Sequence, residues 1–448
     1  MAIALEALAA CFEGVIPSIL ATAAADGTPN IASLSHVALV DGGHVALSNQ
    51  FFSKTARNIA ENKQAALLVV DPRDGGQYRL DVVWREAVQA GPVFDRLAAT
   101  LRASSAQLGM ADVMRLRSAD IYRVVAIRAV PGNRPPAVDA PPVSALERAL
   151  AVVDAFADEV DLDATIDAVA AGLGSAFRTA AMVLVPAAAP GRLVVIGSRG
   201  FGRSGVGAEV RLGEGLIGIA AAERRCLRVS DMSRMRRLGS AADASQEQEN
   251  RTRSVALAGL PDAASQIAVP MLAQGRLHGA LFLESPRRLA FTAEDELALR
   301  LVARQLAAWL AAFEADSAPA AMPSAAPEAA GSAVGEAPQG TFTVEHHAHD
   351  DSVFIDGAYL VRGVPGRLLL HMLAVHLRAG RSEFSNRELR ADRSLGLPDL
   401  KDNLETRLLL LRRRLEDKAA PVRLVRPARG LVRIELRARP IIRRVVER

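Results

Sequence analysis

Leu404, Leu408, Leu411 and Leu415 recur at three- and four-residue steps, a spacing that predicts a helix with one buried face. Arg407, Arg412, Arg413 and Arg414 fall largely off that face. Arg423, Arg426, Arg429 and Arg433 then line a predicted two-stranded hairpin that turns at residues 427–430. The N-terminal third has a different rhythm, in which short β-type runs alternate with turns. Residues 18–24, 30–40 and 44–48 read as strands, separated by turns at Asp26-Gly27 and Asp41-Gly42-Gly43. A helix at 54–62, strands at 65–70 and 78–88, a helix at 91–108 and a strand at 120–130 complete the set. Many strands with few helices predict a small antiparallel barrel. Between these regions, helical spacing returns at 145–160 and 294–313.

Composition divides the chain. Residues 131–143 are proline-rich, and 315–340 are rich in alanine, proline, glycine and serine. The second run cannot bury a core and is expected to be a disordered, mobile tether. Three segments remain, 1–130, 144–314 and 341–448, as expected for a 448-residue multidomain α+β protein. The net charge is +4 overall, but the last segment alone carries +8, so it is the candidate binder of a polyanion. A basic helix beside a basic β-ribbon is the layout of a winged helix-turn-helix. A charge run by itself would favour a solvated helix face, and it is helix, hairpin and charge together that point to nucleic acid. Two cysteines are too few for a disulfide framework. With no signal-peptide pattern and no apolar run of about 18–20 residues, a cytoplasmic protein without a membrane span is expected. His346, His347 and His349 cluster without matching ligands elsewhere, and no metal is assigned.

The motifs carry three resemblances. Gly27-Thr28-Pro29-Asn30, then residues 48–55 (SNQFFSKT), Asn58-Ile59 and Asn62 resemble the split-barrel flavin-binding domain of the pyridoxamine 5'-phosphate oxidase family. The resemblance implies FMN, with its phosphate held by Ser53, Lys54 and Thr55 entering the helix. Ser33, Ser35, Ser48, Asn49 and Gln50 would lie nearby, and Ser33, Ser35 and His36 would flank the ring. Hydroxyls, a cation and a helix N-terminus all favour a phosphate, although Ser53 as a plain helix cap is the simpler alternative. Such barrels generally dimerise.

Residues 213–220 (GEGLIGIA), Val229-Ser230-Asp231, 265–270 (SQIAVP) and 291–295 (FTAED) resemble a GAF domain, an α/β sandwich-like sensor fold. Thr292 with Asp295 reads as a helix cap. The resemblance implies a small-molecule ligand under a covering loop at 234–253, or a dimerisation and relay role. Cys226 is a candidate attachment or redox residue, with plain core packing as the alternative. Finally, residues 404–416 (LETRLLLLRRRLE) and 424–433 (LVRPARGLVR) resemble the recognition helix and wing of response-regulator-type winged-helix transcription factors. DNA contacts are then implied for Asn403, Arg407, Arg412, Arg426 and Arg429. Leu409 and Leu410 depart from that pattern, standing where polar, DNA-facing residues are usual.

Together these imply a one-component, homodimeric transcriptional regulator, with barrel and GAF domain as input and winged helix as output. One alternative is an FMN-dependent oxidoreductase with regulatory C-terminal domains, but no acid–base pair is nominated for it. The other is a signalling relay that does not bind DNA, which Leu409 and Leu410 would suit.

Overall fold

The structure, a computed structural model, describes residues 3–34, 36–50, 53–107, 115–132, 143–232, 250–251, 253–316, 340–397, 404–428 and 430–445. The tether expected at 315–340 and the covering loop expected at 234–253 lie mostly outside these residues.

Strands β1 (Ser18–Ala23), β2 (Pro29–Leu34), β3 (Val37–Asp41), β4 (His44–Asn49), β5 (Gln64–Val70), β6 (Gln77–Val88) and β7 (Ser118–Ala129) form one antiparallel sheet. Its order is β2-β1-β5-β6-β7-β4-β3. The single strand expected at 30–40 is two strands. β2 pairs with β1, and β3 pairs with β4 at the other end of the order. β2 and β3, adjacent in sequence, thus stand as the two edge strands of the sheet. Leucines, among them Leu20, Leu34, Leu47, Leu67 and Leu80, form its core. Helices α1 (Ser53–Asn62) and α2 (Pro92–Gln107) lie outside the sheet sequence.

The middle segment is a six-stranded antiparallel sheet. Its strands are β8 (Ala180–Pro186), β9 (Arg192–Arg199), β10 (Glu209–Arg211), β11 (Leu227–Val229), β12 (Ser265–Ala273) and β13 (Arg276–Ser285), in the order β10-β9-β8-β13-β12-β11. Helices α3 (Ala145–Asp154), α4 (Leu162–Phe177) and α6 (Ala293–Asp316) build one core against it. Helix α5 (Gly215–Glu223) lies in a second core, together with Ala99 and Ala103 of α2. The barrel thus packs directly on this domain, and Arg228 pairs with Glu13 at 2.9 Å across the joint. The cap read from Thr292 and Asp295 is present: each side chain accepts the other's backbone N–H, at 3.1 and 2.9 Å.

In the last segment, β14 (Thr341–His347), β15 (Ser352–Ile355), β16 (Ala358–Val361) and β20 (Arg439–Val445) form a sheet in which β14 and β20 run parallel. Between them come α7 (Val364–Ala379), β17 (Glu383–Ser385), α8 (Asn386–Ala391), α9 (Leu404–Asp417) and the hairpin β18 (Val422–Val425) and β19 (Leu431–Leu436). Ser385 and Glu388 form a capping box that starts α8.

One expectation needs correction. The leucine spacing predicts one buried face on α9, with the arginines open. Leu404, Leu408, Leu411 and Leu415 do fill the C-terminal core. Leu409 and Leu410 point elsewhere, into the core of the middle domain. The helix is clasped on both sides, so Arg407 and Arg414 are only 5% and 1% exposed. Gly207 makes this approach possible. It holds φ near +89°, and a Cβ there would come within 2.9 Å of the Arg414 side chain.

Candidate functional site

The barrel holds a cavity of about 200 Å³ between the end of β4, the first turns of α1 and strands β6 and β7. Its walls are mainly apolar, including Leu20, Leu34, Ile59 and Trp84, with Ser48, Asn49, Thr55, Ser118 and Asp120 supplying polar atoms. Asn49 Nδ2 donates to Asp120 Oδ2 at 3.1 Å, and Ser118 Oγ donates to Asp120 Oδ1 at 2.7 Å. Burial still pushes the Asp120 carboxyl above the usual aspartate range, against those two hydrogen bonds. Beneath α1, Asn30 Nδ2 donates to Thr55 Oγ1 at 3.0 Å, and Asn58 Nδ2 donates to Thr22 Oγ1 at 3.1 Å.

Of the residues expected here, Ser48, Asn49 and Thr55 line the cavity. Gln50 is buried beside it in sequence, Lys54 is exposed in the first turn of α1, and Ser33 is exposed on β2. Ser53 opens α1, and Ser35 lies outside the described residues. His36 is held neutral by burial, which pulls its imidazole down to about 4. Sequence reading passed over Trp84, Ser118, Asp120 and Tyr122. Ser118, Asp120 and Tyr122 stand at every second position of β7 and all line the cavity, and that period was the available signal.

These residues suit an FMN phosphate at one end. The α1 N-terminus has no acidic residue in its first turn and offers Lys54 and Thr55. The Asp120 carboxyl would repel an anion, so of the two ends of the cavity the α1 end is the one compatible with a phosphate. The enclosed volume lies below the ~300–1,000 Å³ typical of small-molecule sites, so it would take only part of such a molecule.

The second cluster joins α9 and the hairpin to the middle domain. Arg407 Nη1 donates to the Pro186 carbonyl at 3.2 Å. Arg412 pairs with Asp163. Arg413 reaches Asp163 and Asp167 at 2.6 and 2.7 Å. Arg426 pairs with Asp161 at 2.8 Å and also with Glu405. Burial holds both Arg412 and Arg413 below the usual guanidinium range. Asn403 and Arg429 lie outside the described residues. The expected DNA-facing residues Arg407, Arg412 and Arg426 therefore face the middle domain, because α4 and β9 cover their side of α9.

Comparison with known proteins finds family matches in the first two regions of the chain. The sequence profile of the pyridoxamine 5'-phosphate oxidase family matches residues 4–125, and that of the GAF domain matches 159–311. A 57-residue stretch is 37% identical to an uncharacterized protein of Methanocaldococcus jannaschii, of whose length the chain covers 38%. Similar solved structures include an FMN-binding protein from Syntrophomonas wolfei (20% identity, 28% of this chain and 86% of that one, TM-score 0.25). They also include the GAF domain of an Acinetobacter phosphoenolpyruvate-protein phosphotransferase (19% identity, 38% and 94%, TM-score 0.31). A third is a free methionine-R-sulfoxide reductase from Neisseria meningitidis with its substrate (22% identity, 38% and 91%, TM-score 0.31). Among the described residues no helix is long and apolar enough to cross a membrane. The chain carries a pyridoxamine 5'-phosphate oxidase-like barrel followed by a GAF domain.

Proposed function

We propose that the protein is a cytoplasmic, ligand-responsive regulator in which the barrel takes FMN and the GAF domain couples ligand state to a DNA-binding C-terminal unit. The observation that carries the DNA reading is the element order helix, short strand, helix, helix, hairpin, with arginines on the last helix and the hairpin. That order supports a winged helix, whose recognition helix would be α9 and whose wing would be β18–β19. FMN, when bound, would supply a redox-sensitive ring; the chain's own part is to hold the phosphate at Lys54 and Thr55. Exposed Leu146 and Leu150 on α3 and Leu297 and Leu301 on α6 favour a homodimer that would present two C-terminal units to paired half-sites. A small molecule bound by the GAF domain is part of the same proposal.

The test is a fluorescence-anisotropy titration of the full chain with duplex DNA at several salt concentrations, with light scattering for the dimer. Binding that weakens steeply with salt supports the reading. Absence of binding at low salt, both in wild type and in a variant that frees α9, would favour the relay that does not bind DNA. The insertion of Leu409 and Leu410 into the GAF core is the observation on that side. The oxidoreductase alternative gains no acid–base pair from the barrel cavity, where both oxygens of Asp120 already accept hydrogen bonds.

A further inference from the structure

We propose that the start of GAF helix α4 is a carboxylate lock, in which Asp161, Asp163 and Asp167 occupy the guanidinium groups that DNA phosphates would otherwise take. The inference rests on the DNA-binding reading above and names its regulation. Three observations meet here. The first is pairing: Arg426 goes to Asp161, Arg412 to Asp163, and Arg413 to Asp163 and Asp167. Carboxylate and phosphate present the same acceptor geometry to a guanidinium fork, so the two compete for one set of donors. The second is apolar closure. Leu409 and Leu410, which would be poorly placed in a groove of DNA, are satisfied in the GAF core beside the ion pairs. The third is the location of the acids. Asp161 is the α4 N-cap, accepting from the backbone N–H of Asp163 and Ala164 at 3.1 and 3.2 Å, so the lock is built into the end of a GAF helix. Because α4 packs on β8 and β9, a change in the GAF sheet would reach the arginines through one rigid element.

The lock is all-or-none in character. A buried guanidinium stripped of its carboxylate is strongly disfavoured, so once the acids withdraw Arg412 and Arg413 must leave for water or for another anion, while Arg426 keeps Glu405.

The full chain with Asp161→Asn, Asp163→Asn and Asp167→Asn together tests this, since asparagine still caps a helix as well as aspartate does. A second triple variant, Asp154→Asn, Asp262→Asn and Glu294→Gln, removes the same charge from exposed sites. DNA affinity by anisotropy is read beside amide hydrogen exchange of residues 404–417. Exchange in α9 should rise, and affinity should tighten by about tenfold or more, with the salt slope steepened by about two as Arg412 and Arg413 gain phosphates. The control triple should move affinity far less and leave α9 protected. If α9 stays protected and affinity stays at the wild-type level, the acids do not hold the helix and the lock is overturned. If α9 opens and wild type already binds as tightly, the lock is overturned while DNA binding stands. If α9 opens and neither protein binds at low salt, the DNA reading itself falls, and the lock with it.

Discussion

Arg413 on α9 spends all three guanidinium nitrogens on the GAF domain. Nε and Nη2 lie 2.9 and 2.6 Å from Asp163 Oδ1, and Nη1 lies 2.6 Å from the Ile196 carbonyl. Both side chains of the pair are nearly buried; without Arg413, Asp163 keeps Arg412, while the Ile196 carbonyl loses its side-chain donor. Arg413→Leu should destabilise the joined GAF and C-terminal units by about 1–3 kcal/mol. Arg413→Lys should lose less but not be neutral, because an ammonium cannot span both acceptors. Urea unfolding followed by circular dichroism measures both, and equal midpoints for all three proteins would contradict the pairing.

Lys54 and Thr55 offer a cation and a hydroxyl at the start of α1. Lys54→Ala should weaken FMN binding by about tenfold or more, the loss of one charge-assisted hydrogen bond. Because Lys54 is exposed, the melting temperature should hardly change. Quenching of flavin fluorescence on titration gives the affinity. Wild type that takes up no FMN would end the flavin assignment.

Neither thiol is built to react. Burial first, and then the negative charge of Asp71, push Cys11 up to about 12. Burial, followed by the charge of Glu296, raises Cys226 well above an ordinary thiol. At pH 8 the thiolate of Cys11 should be about a thousandfold scarcer than that of a free cysteine. A disulfide reagent should therefore label neither residue until denaturant is added. Rapid labelling of Cys226 in the folded protein would restore it as a redox candidate.

Glu284 on β13 is buried, accepting from Leu260 N at 2.7 Å and from the Gln266 side chain, and burial raises its carboxyl above the usual glutamate range. The folded state thus binds a proton more tightly than the unfolded state. Its contribution to stability is full below the unfolded value of about 4.3 and is lost as pH rises through the raised folded value. Glu284→Gln should accordingly be no less stable than wild type at pH 7 and should lose that advantage at pH 4. Thermal melts across this range decide it: a wild-type curve no steeper than the variant's would remove Glu284 as the source.

Much of the barrel was legible because short β-type runs bounded by turns are a local signal, and β1, β4, β5 and β6 lie within a residue or two of the strands that these runs predict. The division of 30–40 into β2 and β3 was not, since a change of partner between β1 and β4 is a long-range event. In the cavity, Ser48, Asn49 and Thr55 sit in a short motif, whereas Asp120 arrives from a strand some seventy residues later. The arginine helix was half legible. Leu404, Leu408, Leu411 and Leu415 announced one buried face, but Leu409 and Leu410 looked like a flaw in a DNA-reading surface. They are a second buried face, and only the GAF domain supplies the surface that makes them one. Charged residues hid this further, because a run of arginines reads as solvated until carboxylates are found opposite.

The parallel pairing of β14 with β20 matters for assembly as well as architecture. Thr341 meets Arg439 and His347 meets Val445, so the first strand of the C-terminal unit has its outer edge covered by a strand about a hundred residues later, and that closure costs chain entropy before it returns anything. During synthesis β14 and β15 can pair as soon as they emerge, yet the far edge of β14 stays bare until β20 has been made. For that interval it is a template for another chain's strand. The unit should therefore complete its sheet late, and a chaperone that shields the bare edge of β14 should raise its yield.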